Sequence, residues 1–239
     1  MKLNILAFAA HPDDIELSCA GTLAKHAEMG EYVGIIDLTQ GEMGTRGTPE
    51  KRLKEAAASA SILGLKVREN LGFEDAFFKN DIAHQAEIVK KIRQYEPDIV
   101  LANAISDRHP DHGKASDLLS ESIFLAGLKK FETLDDNGQP QQAYRPNKVY
   151  HYIQSLPITP DFVVDVSEQW DKKMKAVQAF ESQFYKADSK EPETYISSPR
   201  FMKMIEARGM QFGQIIGVDY AEGFTVERYL GVKDLNGLI

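Results

Sequence analysis

Residues 3–21, LNILAFAAHPDDIELSCAG, run an apolar segment straight into one imidazole and two adjacent carboxylates. LNILAFA (3–9) has the length and composition of a strand buried on both faces. The residues after it read as a helix over 15–29 that stops near Gly30. A strand, a turn and a helix in that order open many α/β folds, and the first turn then commonly carries a glycine-rich phosphate loop. Here His11, Pro12, Asp13 and Asp14 occupy that turn. Neither Gly-x-Gly-x-x-Gly after the first strand nor a P-loop lysine motif is present, which argues against nucleotide binding.

The same alternation continues outward from this stretch. YVGIIDLT (32–39) reads as a second strand. TPEKRLKEAAASASILG (48–64) signals a helix at both ends, with Thr48 as N-cap, Pro49 at the first position, Glu50 in the first turn and Gly64 at the stop. VRENLGF (67–73) is a short strand, Asn80 can cap a helix ending near Tyr95, and DIVLANA (98–104) is another apolar strand. Strands that alternate with helices imply parallel pairing, so the expected fold class is α/β: a Rossmann-like, doubly wound, mostly parallel sheet with helices on both faces. The polar stretch 132–147 reads as a loop. Strands at KVYHYIQ and FVVDV follow, then a long helix over 167–186, a loop at 187–199, a helix near 199–209 and a strand-rich tail. With no repeat and no linker, residues 1–239 are expected to form one domain, with 148–239 on the same sheet.

Composition narrows the function. The chain is 43% hydrophobic and 27% charged with a net charge of −8, and it has no Lys/Arg-rich run, so an electrostatic grip on nucleic acid is not expected. LNILAFAA is too short to span a bilayer and lacks the flanks of a signal peptide. The single Cys19 has no intrachain partner, which fits a reducing cytoplasm, and its place on an apolar helix face marks it as core.

Ligands of parallel α/β sheets gather at the carboxyl ends of the strands. Two turns stand out there: the one at 11–14, and SDRHPDHGK (106–114) after the 98–104 strand. If both strands are central, His11, Asp14, His109 and His112 face one another, with Asp13 and Asp111 alongside. Three of the six histidines fall in these two turns. Either turn alone would read as an Asx turn with a solvated histidine. Together they form a candidate divalent-metal site, since two imidazoles and a carboxylate with an open position make a catalytic centre.

AHPDD at 10–14 paired with HPDH at 109–112 resembles the LmbE/PIG-L-like zinc de-N-acetylases, which hydrolyse the acetamide of N-acetylglucosamine-containing compounds. The resemblance runs along the chain. GQIIGVDYAEGF (213–224) is similar to the branch that deacetylates N-acetylglucosaminyl malate in bacillithiol biosynthesis. It implies His11, Asp14 and His112 as metal ligands, Zn²⁺ as the ion (the donor set also suits Fe²⁺ or Co²⁺), and Asp13 as general base. It implies His109, protonated, on the oxyanion and then helping the amine leave, with Asp111 holding its tautomer, and a homo-oligomer, trimer or hexamer, as the working form.

Arg52 and Arg108 are candidates to grip a substrate carboxylate. Glu16 is a candidate for a ligand or a sugar hydroxyl, and Tyr195 for the oxyanion. Some relatives carry a tyrosine two residues before the equivalent of His109, where this chain has Asp107. The loop 40–48, with three glycines, could close over a sugar. His151 reads as a core or edge residue. Alternatives remain open: deacetylation of another N-acetylglucosamine conjugate or of a chito-oligosaccharide; a non-haem iron enzyme, which also uses two His and a carboxylate, although those usually mount His-x-Asp on an all-β barrel and the spacing here is His-x-x-Asp; and a non-catalytic sugar- or metal-binding module.

Overall fold

The computed structural model describes residues 1–185, 189–234 and 236. The chain runs β1 (Ile5–Ala9), α1 (Asp14–Ser18), α2 (Ala20–Glu28), β2 (Val33–Thr39), α3 (Pro49–Leu63), β3 (Val67–Phe73), α4 (Ile82–Tyr95), β4 (Ile99–Ala102) and α5 (Pro110–Ala126). Then come β5 (Lys148–Tyr152), β6 (Phe162–Asp165), a 3₁₀ turn (Ser167–Gln169), α6 (Trp170–Gln178), α7 (Pro199–Ile216) and β7 (Ala221–Val226). One seven-stranded sheet, ordered β3-β2-β1-β4-β5-β7-β6, takes strands from both halves of the chain. β1 to β5 pair in parallel, and β7 lies antiparallel to β5 and β6. The architecture is the doubly wound α/β sheet that the alternation of strands and helices implies.

Both faces are covered, as the continuous apolar strands require. Leu6 and Phe8 of β1 and Ile36 and Leu38 of β2 pack with Ile88 of α4 and Leu118 of α5 on one face. The alternate residues Ile5, Ala7, Val33 and Ile35 pack with Ile15 and Leu23 on the other. Beyond that second face, Phe180, Phe201 and Ile205 join Trp170 and Ala56 in a cluster among α3, α6 and α7. Strand order reverses between β1 and β4, which pair directly with Ile5 opposite Ile99. That switch point opens a crevice at the carboxyl ends of the two strands.

Four local expectations change. The helix expected over 15–29 is two helices, broken at Cys19, whose φ is −132°. Asp81, not Asn80, caps α4, with its side chain accepting from the amide of His84. The helix expected over 167–186 becomes a 3₁₀ turn and a shorter α6, while α7 runs on to Ile216. The loop expected at 187–199 begins at residues outside those described. Gly64 ends α3 in the left-handed conformation at φ 76°, as its sequence signal implies.

Gly213 shows how tightly α7 meets the chain that returns from it. A Cβ there would lie 2.6 Å from the Val218 carbonyl oxygen and 2.8 Å from that of Asp219, both backbone atoms. Gly213→Ala is expected to destabilise the protein by about 1–3 kcal/mol through overpacking. Thermal unfolding checks this, and an unchanged midpoint would show that the α7–β7 connection gives way freely.

Candidate active site

The first turn places its carboxylates by backbone geometry. Asp13 adopts φ 120°, outside the range L-residues favour, and then Asp14 begins α1. Strain of this kind costs on the order of 1–3 kcal/mol and persists where surrounding structure over-determines it. Asp14 is buried, and both of its oxygens are engaged. Oδ2 accepts from the His11 amide at 3.0 Å and from Asn103 Nδ2 at 3.0 Å, and Oδ1 accepts from Gln154 Nε2 at 3.0 Å. Burial opposes its charge, but the imidazoles of His112 and His11 outweigh that and hold it well below the usual carboxylate range.

The second turn is the start of α5. His109 is the N-cap and His112 lies in the first turn, so the residues read as a loop at 106–114 are in large part helical. Pro110 sits at the first helical position, where its missing N–H costs nothing. His112 Nε2 lies 3.1 Å from Asp14 Oδ1, and His11 Nδ1 lies 3.7 Å from Asp14 Oδ2. The His11 and His112 ring centroids are 5.6 Å apart. Two imidazoles sharing an ion through bonds of about 2 Å would stand roughly 5–6 Å apart, so the donors present fit one divalent cation. The outward nitrogens of the same rings face carboxylates: His11 Nε2 meets Asp75 at 3.0 Å and His112 Nδ1 meets Asp107 at 2.5 Å. Such outer carboxylates orient metal-binding histidines.

Ligand atoms of His11, His109 and His112 also fall within 4.8 Å of one another, as do those of His11, Asp75 and Asp111. We favour Asp14 over His109 as the third donor for a geometric reason. His109 Nδ1 accepts the Asp111 backbone N–H at 3.3 Å. A neutral ring that accepts at Nδ1 carries its proton on Nε2, and so offers a hydrogen-bond donor and no lone pair. Burial, and then the charge of His11 and His112, holds His109 below the ordinary imidazole range.

Asp111 differs as well. Its carboxylate turns away from the His109 ring, accepting from the Ala76 amide at 3.0 Å and Lys114 at 2.8 Å, and lies 3.5 Å from His11 Nε2. As the second residue of the helix it projects toward the β3–α4 loop, and only its amide reaches His109.

Asp13 is 5% exposed, and among the described residues its Oδ2 has no hydrogen-bond partner. Burial raises its pKa to about 7, with Arg52 opposing and Asp14 adding to the shift. It lines a cleft of about 360 Å³ together with His11, Asp14, His109 and His112. Arg46, Arg52, Arg108, Arg208 and Tyr195 also line it. Among the described residues Arg68 forms ion pairs, with Glu16 and Asp37, whereas Arg46 donates to Ser189, Arg52 to Gln183 and Arg208 to the Leu17 carbonyl. Arg52 is held by Gln183 and passes beneath the 40–48 loop. A Cβ at Gly41, whose φ is +66°, would lie 1.7 Å from Arg52 Nη1. Arg108 stacks 4.3 Å over the half-exposed Tyr195 ring.

Glu16 is not part of the cleft, contrary to the sequence expectation. It accepts from Ser59 Oγ and Arg68 Nη1, each at 2.5 Å, and Arg68 also binds Asp37. Two positions after Asp14 on a helix is a rotation of about 200°, which turns Glu16 toward β2 and α3. His151 is buried against the Asn103 carbonyl at 2.9 Å and Glu227 at 3.1 Å, outside the cleft lining. Asp75, Asn103 and Gln154 went unread in the sequence, and Asp107 entered only as the position where some relatives carry a tyrosine. Three of them follow a strand at its carboxyl end, and a polar residue closing an apolar run at that edge is the signal that finds them.

The fold and this cluster define an α/β protein with a two-histidine, one-carboxylate candidate metal centre at the sheet's switch point. Residues 6–123 match the PIG-L family, GlcNAc-PI de-N-acetylase. The diacetylchitobiose deacetylase of Thermococcus kodakarensis is 30% identical over 230 residues, covering 92% of this chain and 81% of the relative. The chain belongs to the PIG-L family. A conserved protein of Thermus thermophilus has a solved structure with a TM-score of 0.85 and 37% identity, covering 97% of this chain and 98% of that one. The 4-oxalmesaconate hydratase of Pseudomonas putida is 28% identical, covering 75% of this chain and 74% of that relative. Among the described residues no helix is long and apolar enough to cross a membrane.

Proposed function

We propose that the protein is a metal-dependent deacetylase that removes the acetyl group from an N-acetylglucosamine-containing small molecule. The observation that carries the reading is the buried Asp13 oxygen, without a hydrogen-bond partner among the described residues, beside the His11–Asp14–His112 cluster. A divalent ion held by those three side chains, Zn²⁺ in this reading with Fe²⁺ or Co²⁺ also suited, supplies water activation near neutral pH. Asp13 takes the water's proton as general base and passes it to the departing amine nitrogen. His109 donates Nε2–H to the acetamide oxygen as negative charge develops there. The acetyl carbon gains the water oxygen, the C–N bond breaks, and acetate and a free amine leave.

The finer proposal is the substrate N-acetylglucosaminyl malate, in bacillithiol biosynthesis. Four guanidiniums lining the cleft of a protein of net charge −8 favour a substrate whose aglycone carries carboxylates. The same reading takes the working form to be a cytoplasmic homo-oligomer, a trimer or hexamer. Amine release is measured on N-acetylglucosaminyl malate, N-acetylglucosamine and diacetylchitobiose, with and without chelator. The malate conjugate is expected to react best, chelator to abolish turnover, and Arg52→Ala or Arg108→Ala to raise KM by about tenfold or more, as loss of a charged hydrogen bond implies. Equal rates on all three, untouched by either substitution, would remove the malate reading. The hydratase among the relatives gives a second reading, in which the same site adds water to an unsaturated acid. Absence of amine release from all three sugars would favour it.

A further inference from the structure

Asp107 lies between the exposed Ser106 and Arg108, yet its side chain is 0% exposed. Both of its oxygens are committed. Oδ2 accepts Nδ1–H of His112 at 2.5 Å, and Oδ1 accepts the Leu156 amide at 2.7 Å. His112 then meets Asp14 at 3.1 Å, and Asp14 accepts from Gln154 Nε2 at 3.0 Å. Gln154 is two residues before Leu156, so the contacts close a ring: Asp107, His112, Asp14, Gln154, Leu156 and back to Asp107. Asn103 braces it, donating from Nδ2 to Asp14 Oδ2 at 3.0 Å and to Gln154 Oε1 at 3.1 Å.

We propose that Asp107 is a positioning residue for the metal centre: its carboxylate fixes the ring orientation and Nδ1–H tautomer of His112 and pins the Gln154–Leu156 segment that holds Asp14. The proposal rests on the reading of His112 and Asp14 as metal ligands. Its physical content is twofold. A carboxylate on one imidazole nitrogen makes the other a better and better-aimed donor. A ring of contacts also lets one buried side chain set two ligands from different parts of the chain, one on α5 and one on α1.

The experiment measures Zn²⁺ affinity by competition with a chelator for the full chain and for Asp107→Asn, His112→Ala and the double variant, with the unfolding midpoint of each metal-free form. Asparagine keeps the shape and one of the two hydrogen bonds but removes the charge. Asp107→Asn is expected to weaken Zn²⁺ binding by about 10–100-fold, and to add no further loss in the His112→Ala background, because it acts through that ring. Affinity within about threefold of the native chain would overturn the proposal. A loss that simply adds to that of His112→Ala would do so as well, since a loop staple acting on stability alone behaves in that way. If the native chain itself takes up no stoichiometric ion, the ligand reading fails and the proposal goes with it.

Discussion

Asp13→Asn is expected to lower turnover by at least ~10²-fold while leaving metal content unchanged. The size follows from what the oxygen does. Asp13 lies beside the candidate ligands without the contacts that immobilise Asp14, and its Oδ2 meets no hydrogen-bond donor among the described residues. A carboxylate buried in this way is disfavoured in its charged form unless something at the site uses it. Asparagine tolerates the φ of 120° at least as well and carries no charge to bury. The variant should therefore unfold at the same temperature or slightly higher, the trade between stability and activity expected of a strained catalytic residue. Metal analysis, the unfolding midpoint and steady-state turnover are measured on one preparation. Full turnover with unchanged metal would remove Asp13 as the base, and would favour a binding module or a different proton acceptor.

Glu222→Ala is expected to cost about 3–5 kcal/mol of stability, a fall in unfolding midpoint on the order of 10 °C for a chain of this size. Glu222, on β7, is 3% exposed. Its Oε1 accepts from Lys173 Nζ at 2.6 Å and from the Gly21 amide at 2.9 Å. Its Oε2 accepts from the amide and the hydroxyl of Thr22, each at 2.7 Å. α2 has no side-chain cap of its own, so this carboxylate serves the helix's first amides from the other end of the chain. Its removal strands the buried Lys173 and uncaps α2 together. Replacing both partners, Glu222→Leu with Lys173→Met, should recover much of the loss, because the isolated charge is then gone. A midpoint for Glu222→Ala within about 2 °C of the native chain would show that water fills the gap, and that the pair contributes little.

The break at Cys19 follows from the same contact. The 15–29 stretch has helical periodicity throughout, and nothing local marks position 19 as a boundary. The break arises because the amides of Gly21 and Thr22 turn to an anion some 200 residues later in the chain. Cys19 itself is fully buried. Burial first, and then the charge of Glu222, pushes its thiol well above the usual range, so it is an inert core residue.

The sequence by itself determined the layered architecture, because apolar runs without alternation can be buried only between helices. It determined the two turns that meet at the switch point, because strands flanking that point end side by side, and here β1 and β4 pair directly. It also determined both ends of α3, where Thr48 and Gly64 carry local signals that no tertiary contact overrides. Only the tertiary structure decided which side chains face the cleft. Glu16 and Asp14 are both acidic and two positions apart, yet one binds Arg68 and the other meets the histidines, a matter of helix rotation set by packing. Asp107 and Gln154 join the centre through contacts between segments distant in sequence, which no periodicity encodes. Spacing of 2 or 3.6 residues reports which way a side chain points from its own element; which atoms it meets depends on where the other elements stop.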